Sequence, residues 1–458
     1  MLNENFFINK FSYIVLLTPL LLITGPFLPD LVVTLSCLFF IFLIIKNKQI
    51  EFFKKFSVKI FLLFWLILIS SSLMSGNIFV SLKSSFFYFR FAMFVLILIY
   101  LNEKNTHFQK RFLKVGVGSI IIVILSCLLE FLFLRYEYFS QLYELYITRN
   151  DIGFEVGSNA LVNQINNRVS GIFGSEGVAG SFLLRLSPFF FIYYIYSFYK
   201  SEKKPSKKKI FLFNLFFLLL TSVVLFSGER AAFILLCFSI FLNFLIIKRI
   251  RQYLKYGVYF SLILIILMLN FDPMVKGRII SQTKYQLTHF HDLSKKKQDN
   301  EDFKSENIFL ISEIHQGHFY AAWKIFLDNK YLGAGLKGYR HQCYNKKDYI
   351  KDLNISCSTH PHNTFMQFLS ETGIMGTLFY LIFLLFIIFK IIKKIYLINF
   401  KKINTTIKSD IKNCILVCIL ITLWPLTTSG SFFNNWLSIL YFLPIAFYFN
   451  ESRFFNND

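Results

Sequence analysis

Apolar runs of roughly twenty residues recur from one end of the 458-residue chain to the other, broken by short polar connections. A helix of about that length crosses the ~30 Å hydrocarbon core of a bilayer with its backbone polar groups bonded within the segment. With 55% hydrophobic residues and 60 Phe, the pattern predicts an all-α integral membrane protein. Spans are expected near 11–28, 31–46, 60–75, 84–101, 115–135, 178–199, 210–227, 231–247, 254–271, 373–392, 412–428 and 435–449, about twelve transmembrane helices.

The connections alternate in charge. With the N-terminus inside, the even-numbered ones read KNKQIEFFKK, NEKNTHFQKR, KSEKKPSKKK, KRIRQYLK and KKIYLINFKK, whereas the short ones opposite, TGPFLPD, SGNIFVSLKS, the Gly228–Arg230 turn and TTSGSFFNN, carry hardly a cation. Short cytoplasmic loops collect Lys and Arg, so both termini are predicted cytoplasmic. The same loops account for most of the +23 net charge, and a nucleic-acid partner is not needed to explain it. The first apolar run lacks a small-residue cleavage site and is followed by Pro26 and Pro29, which reads as a retained span rather than a signal peptide.

Two longer segments project to the outer side. Residues 1–271 hold the first nine helices with a smaller loop at 136–177, residues 272–372 form a large loop between the ninth and tenth helices, and residues 373–458 hold the last three. Cys37, Cys127, Cys237, Cys414 and Cys418 fall in apolar spans, where a thiol behaves as a small hydrophobe, and are expected in the core. Cys343 and Cys357 lie together in the large outer loop, and an oxidising compartment would pair them. The disulfide would close about fifteen residues, contribute roughly 3 kcal/mol on chain-entropy grounds and steady the approach to His360. The alternatives are two free thiols or part of a metal site without further ligands.

Within the large loop, Thr288–Asn307 is polar, charge-dense and without period, as expected of a solvated insertion. Ile311, Ile314, His318, Ala322, Ile325 and Phe326 then recur at helical spacing, predicting an amphipathic helix on the membrane surface or capping the bundle, with His318 on its apolar stripe. Gly333-Ala334-Gly335-Leu336-Lys337-Gly338-Tyr339 is a glycine turn, weak evidence for phosphate binding on its own. The loop closes on His360-Pro361-His362-Asn363-Thr364-Phe365 and Glu371-Thr372-Gly373-Ile374-Met375-Gly376, which put a titratable imidazole where a polar domain meets lipid. Arg90, Glu130, Arg185, Glu229 and Arg230 sit within or at the edge of spans, where a charge is costly and needs a reason. Arg230 and Arg168 share the outer side and are positioned to converge on an anion. Snorkelling, or pairing of Arg230 with Glu176 and of Arg135 with Glu130, is the plainer reading, and Arg90 and Arg185 suit structural pairing. A zinc site at His360 and His362 lacks a recognisable third ligand.

The motif His362-Asn363 followed by Gly373 and Gly376, the Ser-Gly-x-Arg turn at 227–230, the Arg-x-x-Gly-x-Phe pattern at 168–173 and the Gly-x-Gly turn at 333 resemble the O-antigen ligase and O-antigen polymerase superfamily of bacterial lipid-linked glycan transferases. Ser175-Glu176-Gly177 departs from that pattern, where an Asn-Pro-Asn-like turn is common.

The resemblance implies a membrane-embedded, GT-C-like glycosyltransferase of the bacterial inner membrane with its active site on the periplasmic side. It implies transfer of a glycan from undecaprenyl diphosphate to a lipid A-core hydroxyl, or, for a polymerase, to the growing glycan. In that reading His362 is the general base, Arg230 and Arg168 stabilise the departing diphosphate, and Asn363, Gly373, Gly376 and His318 support them. The expected partners are the lipid-linked donor, its acceptor and membrane lipids. No cofactor and no metal are expected, since no Asp-x-Asp pair stands on the outer side, and direct attack would invert the anomeric centre. A lipid-linked glycan transporter would call for inverted repeats, which the sequence does not display. A scaffold would leave His362 without a role, and a histidine that merely caps the tenth span is the plainest alternative.

Overall fold

The computed structural model describes residues 4–48, 50–105, 107–135, 168–199, 205–281, 283–284, 313–345 and 357–449. Residues 136–167, the stretch Thr288–Asn307 and Ile311 lie outside the described residues, as do the side chains of Ile314 and Arg135. Helices, and no strands, make up the described residues. Leaving aside the shortest pieces, they run α1 Glu4–Leu16, α2 Phe27–Asn47, α3 Phe56–Leu73, α4 Ile78–Phe86, α5 Phe89–Lys104, α6 Phe108–Arg135, α7 Ala179–Tyr199, α8 Lys207–Phe226, α9 Arg230–Ile246, α10 Lys248–Phe271, α11 Glu313–Asp328, α12 Gly338–Asn345, α13 Thr364–Asn399, α14 Ile407–Thr422 and α15 Asn435–Phe449.

Eight helical stretches among the described residues are long and apolar enough to cross a membrane, and three shorter apolar ones are Ile8–Thr24, Arg230–Ile246 and Asn435–Phe449. This is the make-up of an integral membrane protein. The segment expected to run to 428 ends as a helix at Thr422. Pro425 disfavours its continuation, and Asn363 Nδ2 donates to the freed carbonyls of Pro425 (2.7 Å) and Thr427 (3.1 Å).

Helix position follows from which faces are apolar and which are covered. From Asp410 to Thr422 every α14 residue but Lys412 is buried, as suits a helix apolar on all sides, and α14 packs against α7, α9, α13 and α15. By contrast α10 exposes Tyr259, Leu262 and Ile266, and α3 exposes Leu62, Leu63 and Leu66, large apolar side chains suited to lipid. Four of the span cysteines are buried as expected, but Cys237 is exposed: its place on α9 turns it outward, where a small hydrophobe is equally at home.

The charges within spans are tethered. Arg90 Nη2 lies 2.7 Å from Asp30 Oδ1, Glu130 accepts from the Ser170 and Gly171 amides, and Arg185 donates to Ser181 O (3.1 Å) with its guanidinium over the Tyr441 ring. Glu229 accepts from the Gly180 and Ser181 amides and the Ser181 hydroxyl, which satisfies donors at the start of α7 that have no intrahelical partner.

Connections of low positive charge gather at one end of the bundle. Asn435 bonds to Asp30 (3.2 Å) and Trp436 to Leu22 O (2.8 Å), Ser81 to Leu336 O (2.6 Å), Ser429 N to His362 O (2.9 Å), Val169 N to Phe226 O (3.3 Å) and Arg278 to Gly228 O (3.3 Å). Two basic connections meet elsewhere, where Arg251 bonds to Asn399 (2.7 Å).

A break in α13 fixes the floor of that end. Gly373 has φ 60 inside the helix, and here the 331–335 turn crosses it backbone on backbone. Ala334 N donates to Ser370 O (2.9 Å), Gly335 N to Glu371 O (2.9 Å), Ile374 N to Lys330 O (2.8 Å) and Met375 N to Tyr331 O (3.3 Å). A Cβ on Gly333 would lie 2.4 Å from Glu371 C, and one on Gly373 2.5 Å from Gly333 N. The glycine turn therefore spends its amides on α13 rather than on a phosphate.

Candidate active site

A small second core joins α11, α12 and the start of α13: Ala321, Ala322 and Ile325 of α11 pack with Ala334, Tyr339, Cys343, Cys357 and Met366. Cys343 and Cys357 are joined as a disulfide, with Cα atoms 5.8 Å apart. The cystine lies inside this core and leads straight into Ser358 and the histidine motif.

His362 sits at the mouth of α13 with φ 52. A left-handed conformation costs a non-glycine residue roughly 1–2 kcal/mol, and the surroundings hold it there. Ser429 N donates to His362 O (2.9 Å), and Asn363 caps α13 by accepting from Met366 N (3.0 Å). Gln367 Nε2 donates to Ser431 Oγ and Glu371 Oε2 (both 2.9 Å), and its Oε1 accepts from Phe432 N (2.8 Å). The ring itself meets Ser358, with Oγ to Nε2 at 2.9 Å. Asn363 thus caps α13 and tethers the 425–427 loop next to the imidazole.

Four of the chain's eight histidines meet here. The ring of His362 lies 5.7 Å from that of His315, 5.3 Å from His318 and 4.2 Å from His360, centroid to centroid. Burial, then repulsion from His362, pushes His315 and His318 down to about 4 and His360 to about 3, and burial also lowers His362. All four rings are neutral at pH 7, the form in which an imidazole accepts a proton. His318 is 4% exposed and lies 3.4 Å from the Tyr339 hydroxyl through Nδ1. It is a packed histidine beside His362.

Three arginines crowd together near this group. Gly228 lies between two of them: a Cβ there would be 3.1 Å from Arg278 Cγ and 3.3 Å from Arg168 Cγ. Arg230 follows two residues later and donates to Thr283 Oγ1 (2.7 Å). Burial, Arg168 and Arg230 push Arg278 down to about 10, so it stays protonated among like charges. The charge of Arg230 is also among the causes that lower His315, which links the arginine group to the imidazoles.

The structure sets Arg168 beside Arg230 and His318 beside His362, with Asn363 capping α13 and the charge of Arg230 reaching His315, and Gly373 marks the break in α13. Gly376 stands apart from the chemistry: a Cβ there would run into Thr372 of its own helix, 2.1 Å from Oγ1. Arg278 and His315 were not singled out in the sequence. His315 carried a signal, its three-residue spacing from His318 on a helical face, and Arg278 another, a cation just past a span on the cation-poor side. Glu176 is exposed. Among the described residues no group of three or more His, Cys, Asp or Glu side chains is arranged to hold a metal ion.

No curated protein matches the chain. Residues 215–381, which run from α8 through Arg230, Arg278, the four histidines, Gly373 and Gly376 but not Arg168, match the family described as O-antigen ligase, and the match supports placing the chain in the O-antigen ligase and polymerase superfamily.

Proposed function

We propose that the protein is an O-antigen ligase-type glycosyltransferase of the bacterial inner membrane, moving a glycan from undecaprenyl diphosphate to a hydroxyl of lipid A-core at the periplasmic face. The observation that carries this reading is the juxtaposition of three crowded arginines with a neutral imidazole held by its backbone. A sugar hydroxyl is a weak nucleophile, and an imidazole that accepts its proton contributes typically 10²- to 10⁴-fold. The diphosphate gains negative charge as the glycosidic bond breaks, so cations fixed around it favour the transition state over the ground state. Arg168, Arg230 and Arg278 fill that role and His362 takes the proton. Attack is direct and inverts the anomeric centre, and the arginines carry the charge that a divalent metal would otherwise meet.

The orientation proposed is twelve spans with both termini cytoplasmic. The gathering of the cation-poor connections around the site supports it, as does the run of basic connections that the sequence alternates with them. Transfer in reconstituted protein tests the function. Glycan appearing on lipid A-core establishes a ligase, elongation of the lipid-linked glycan without that acceptor a polymerase. Full activity of His362→Ala would remove the base, loss on chelation reversed by Mg²⁺ or Mn²⁺ would overturn the arginine-only account, and a product with retained configuration would overturn direct attack.

A further inference from the structure

His362 offers two ring nitrogens, and only one of them is spoken for. Nε2 lies 2.9 Å from Ser358 Oγ, while Nδ1 makes no hydrogen bond among the described residues. A neutral imidazole carries one N–H and one lone pair. If the Ser358 O–H donated to Nε2, the ring proton would sit on Nδ1 and no nitrogen would be left to accept another. With the ring as base, the proton sits on Nε2 and points at Ser358.

We propose that Ser358 is a positioning residue whose Oγ accepts from Nε2–H of His362 and so leaves Nδ1 as the atom that takes the acceptor's proton. This rests on the glycosyl transfer proposed above. The acceptor O–H proton passes to Nδ1 while the oxygen's electron pair forms the bond to the anomeric carbon. The bond from that carbon to the diphosphate oxygen breaks, and its electron pair leaves with the diphosphate. The imidazolium then loses its proton to solvent. As charge forms on the ring, the Nε2–H to Oγ bond becomes charge-assisted and strengthens, so Ser358 favours the transition state as well as the geometry.

Both partners are anchored, and from different parts of the chain. Ser358 follows Cys357, which is bonded to Cys343 of α12, and the Tyr344 hydroxyl donates to Cys357 O (3.0 Å). His362 is held at its own carbonyl by Ser429 N. The disulfide therefore bears on the base through Ser358. The titratable groups facing His362 are His315 and His318 from α11 and His360 from its own segment; Arg230 acts on His315 and Arg340 on His360.

Steady-state transfer by reconstituted full-length protein, with pH profiles for wild type, His362→Ala, Ser358→Ala and Ser358→Thr, tests the proposal. Ser358→Ala is expected to lower kcat by about 10- to 100-fold, part of what a general base supplies, with the donor KM little changed. Losing an acceptor of the imidazolium N–H lowers the pKa of His362, so the acid limb of kcat moves to lower pH. Ser358→Thr restores both rate and limb, which a variant that merely misfolds would not explain. Reducing the disulfide lowers kcat of the wild type and adds nothing to Ser358→Ala, as expected when two changes act through one contact. Additive losses would overturn the coupling to α12. An inactive His362→Ala beside a Ser358→Ala protein with wild-type kcat and limb overturns the positioning role alone, while an active His362→Ala overturns it together with the base.

Discussion

The crossing of the 331–335 turn over α13 allows a graded test with three glycines. Gly76 has open space around its Cβ position and an ordinary φ, Gly174 has open space with φ +58, and Gly333 combines φ +72 with backbone atoms of Glu371, Thr372 and Gly373 at 2.4 Å. Gly76→Ala should be neutral, within about 0.5 kcal/mol. Gly174→Ala should cost the left-handed conformation alone, roughly 1–2 kcal/mol. Gly333→Ala adds overpacking of about 1–3 kcal/mol, because the nearest atoms are main chain and cannot swing away, for a total of roughly 2–5 kcal/mol. Parting the two backbones also weakens the four hydrogen bonds between them, at about 1 kcal/mol each. The assay is the fraction of detergent-solubilised protein that stays monodisperse after heating. The expected order of midpoints is wild type and Gly76→Ala, then Gly174→Ala, then Gly333→Ala well below. Equal midpoints for Gly333→Ala and Gly174→Ala would mean that the two backbones do not meet.

Arg278→Ala should reduce transfer at least about tenfold, as expected for removing a cation from a developing diphosphate charge, and Arg278→Lys should recover only part of it because the two-pronged donor is lost; full activity of Arg278→Ala would take Arg278 out of the site. His315 and His318 hold their protons less well when folded, at about 4 against an ordinary 6.5. Between those values the unfolded chain binds protons that the folded chain does not, so stability should fall as pH drops through that window and stay level above it. A heat-inactivation midpoint that does not fall between pH 7 and pH 5, or a fall that His315→Gln fails to lessen, would count against this. Asp30→Ala leaves Arg90 without the carboxylate 2.7 Å away, which should lower the yield of folded protein while leaving transfer per folded molecule intact; lost turnover with normal yield would give the pair a role in catalysis.

Much of the architecture was readable because lipid leaves the backbone few options. Each apolar run had to be a helix. The reading failed where a local rule met a neighbour. The eleventh predicted span ran past Pro425 because its hydropathy persists, yet the chain there unwinds into bonds offered by Asn363. Cys237 looked like core from composition alone, since an apolar residue facing lipid and one facing protein are indistinguishable by type. Arg278 went unremarked because a single cation after a span is ordinary until Gly228 brings Arg168 and Arg278 within reach of each other.

By itself the sequence determined that the chain lies in a membrane as helices and that an imidazole stands at the mouth of one of them. These follow from residue type and short-range spacing, which hydrocarbon and helical geometry translate directly into structure. Only the tertiary structure decided which groups touch. The left-handed backbone of His362 is imposed by Ser429 and Asn363, its Nε2 is taken by Ser358 through a cystine bonded to α12, and its neighbours His315 and His318 arrive on a helix some fifty residues upstream. Contacts between residues distant in sequence depend on how helices pack and where a backbone such as Gly333 can cross another, and no local pattern encodes that.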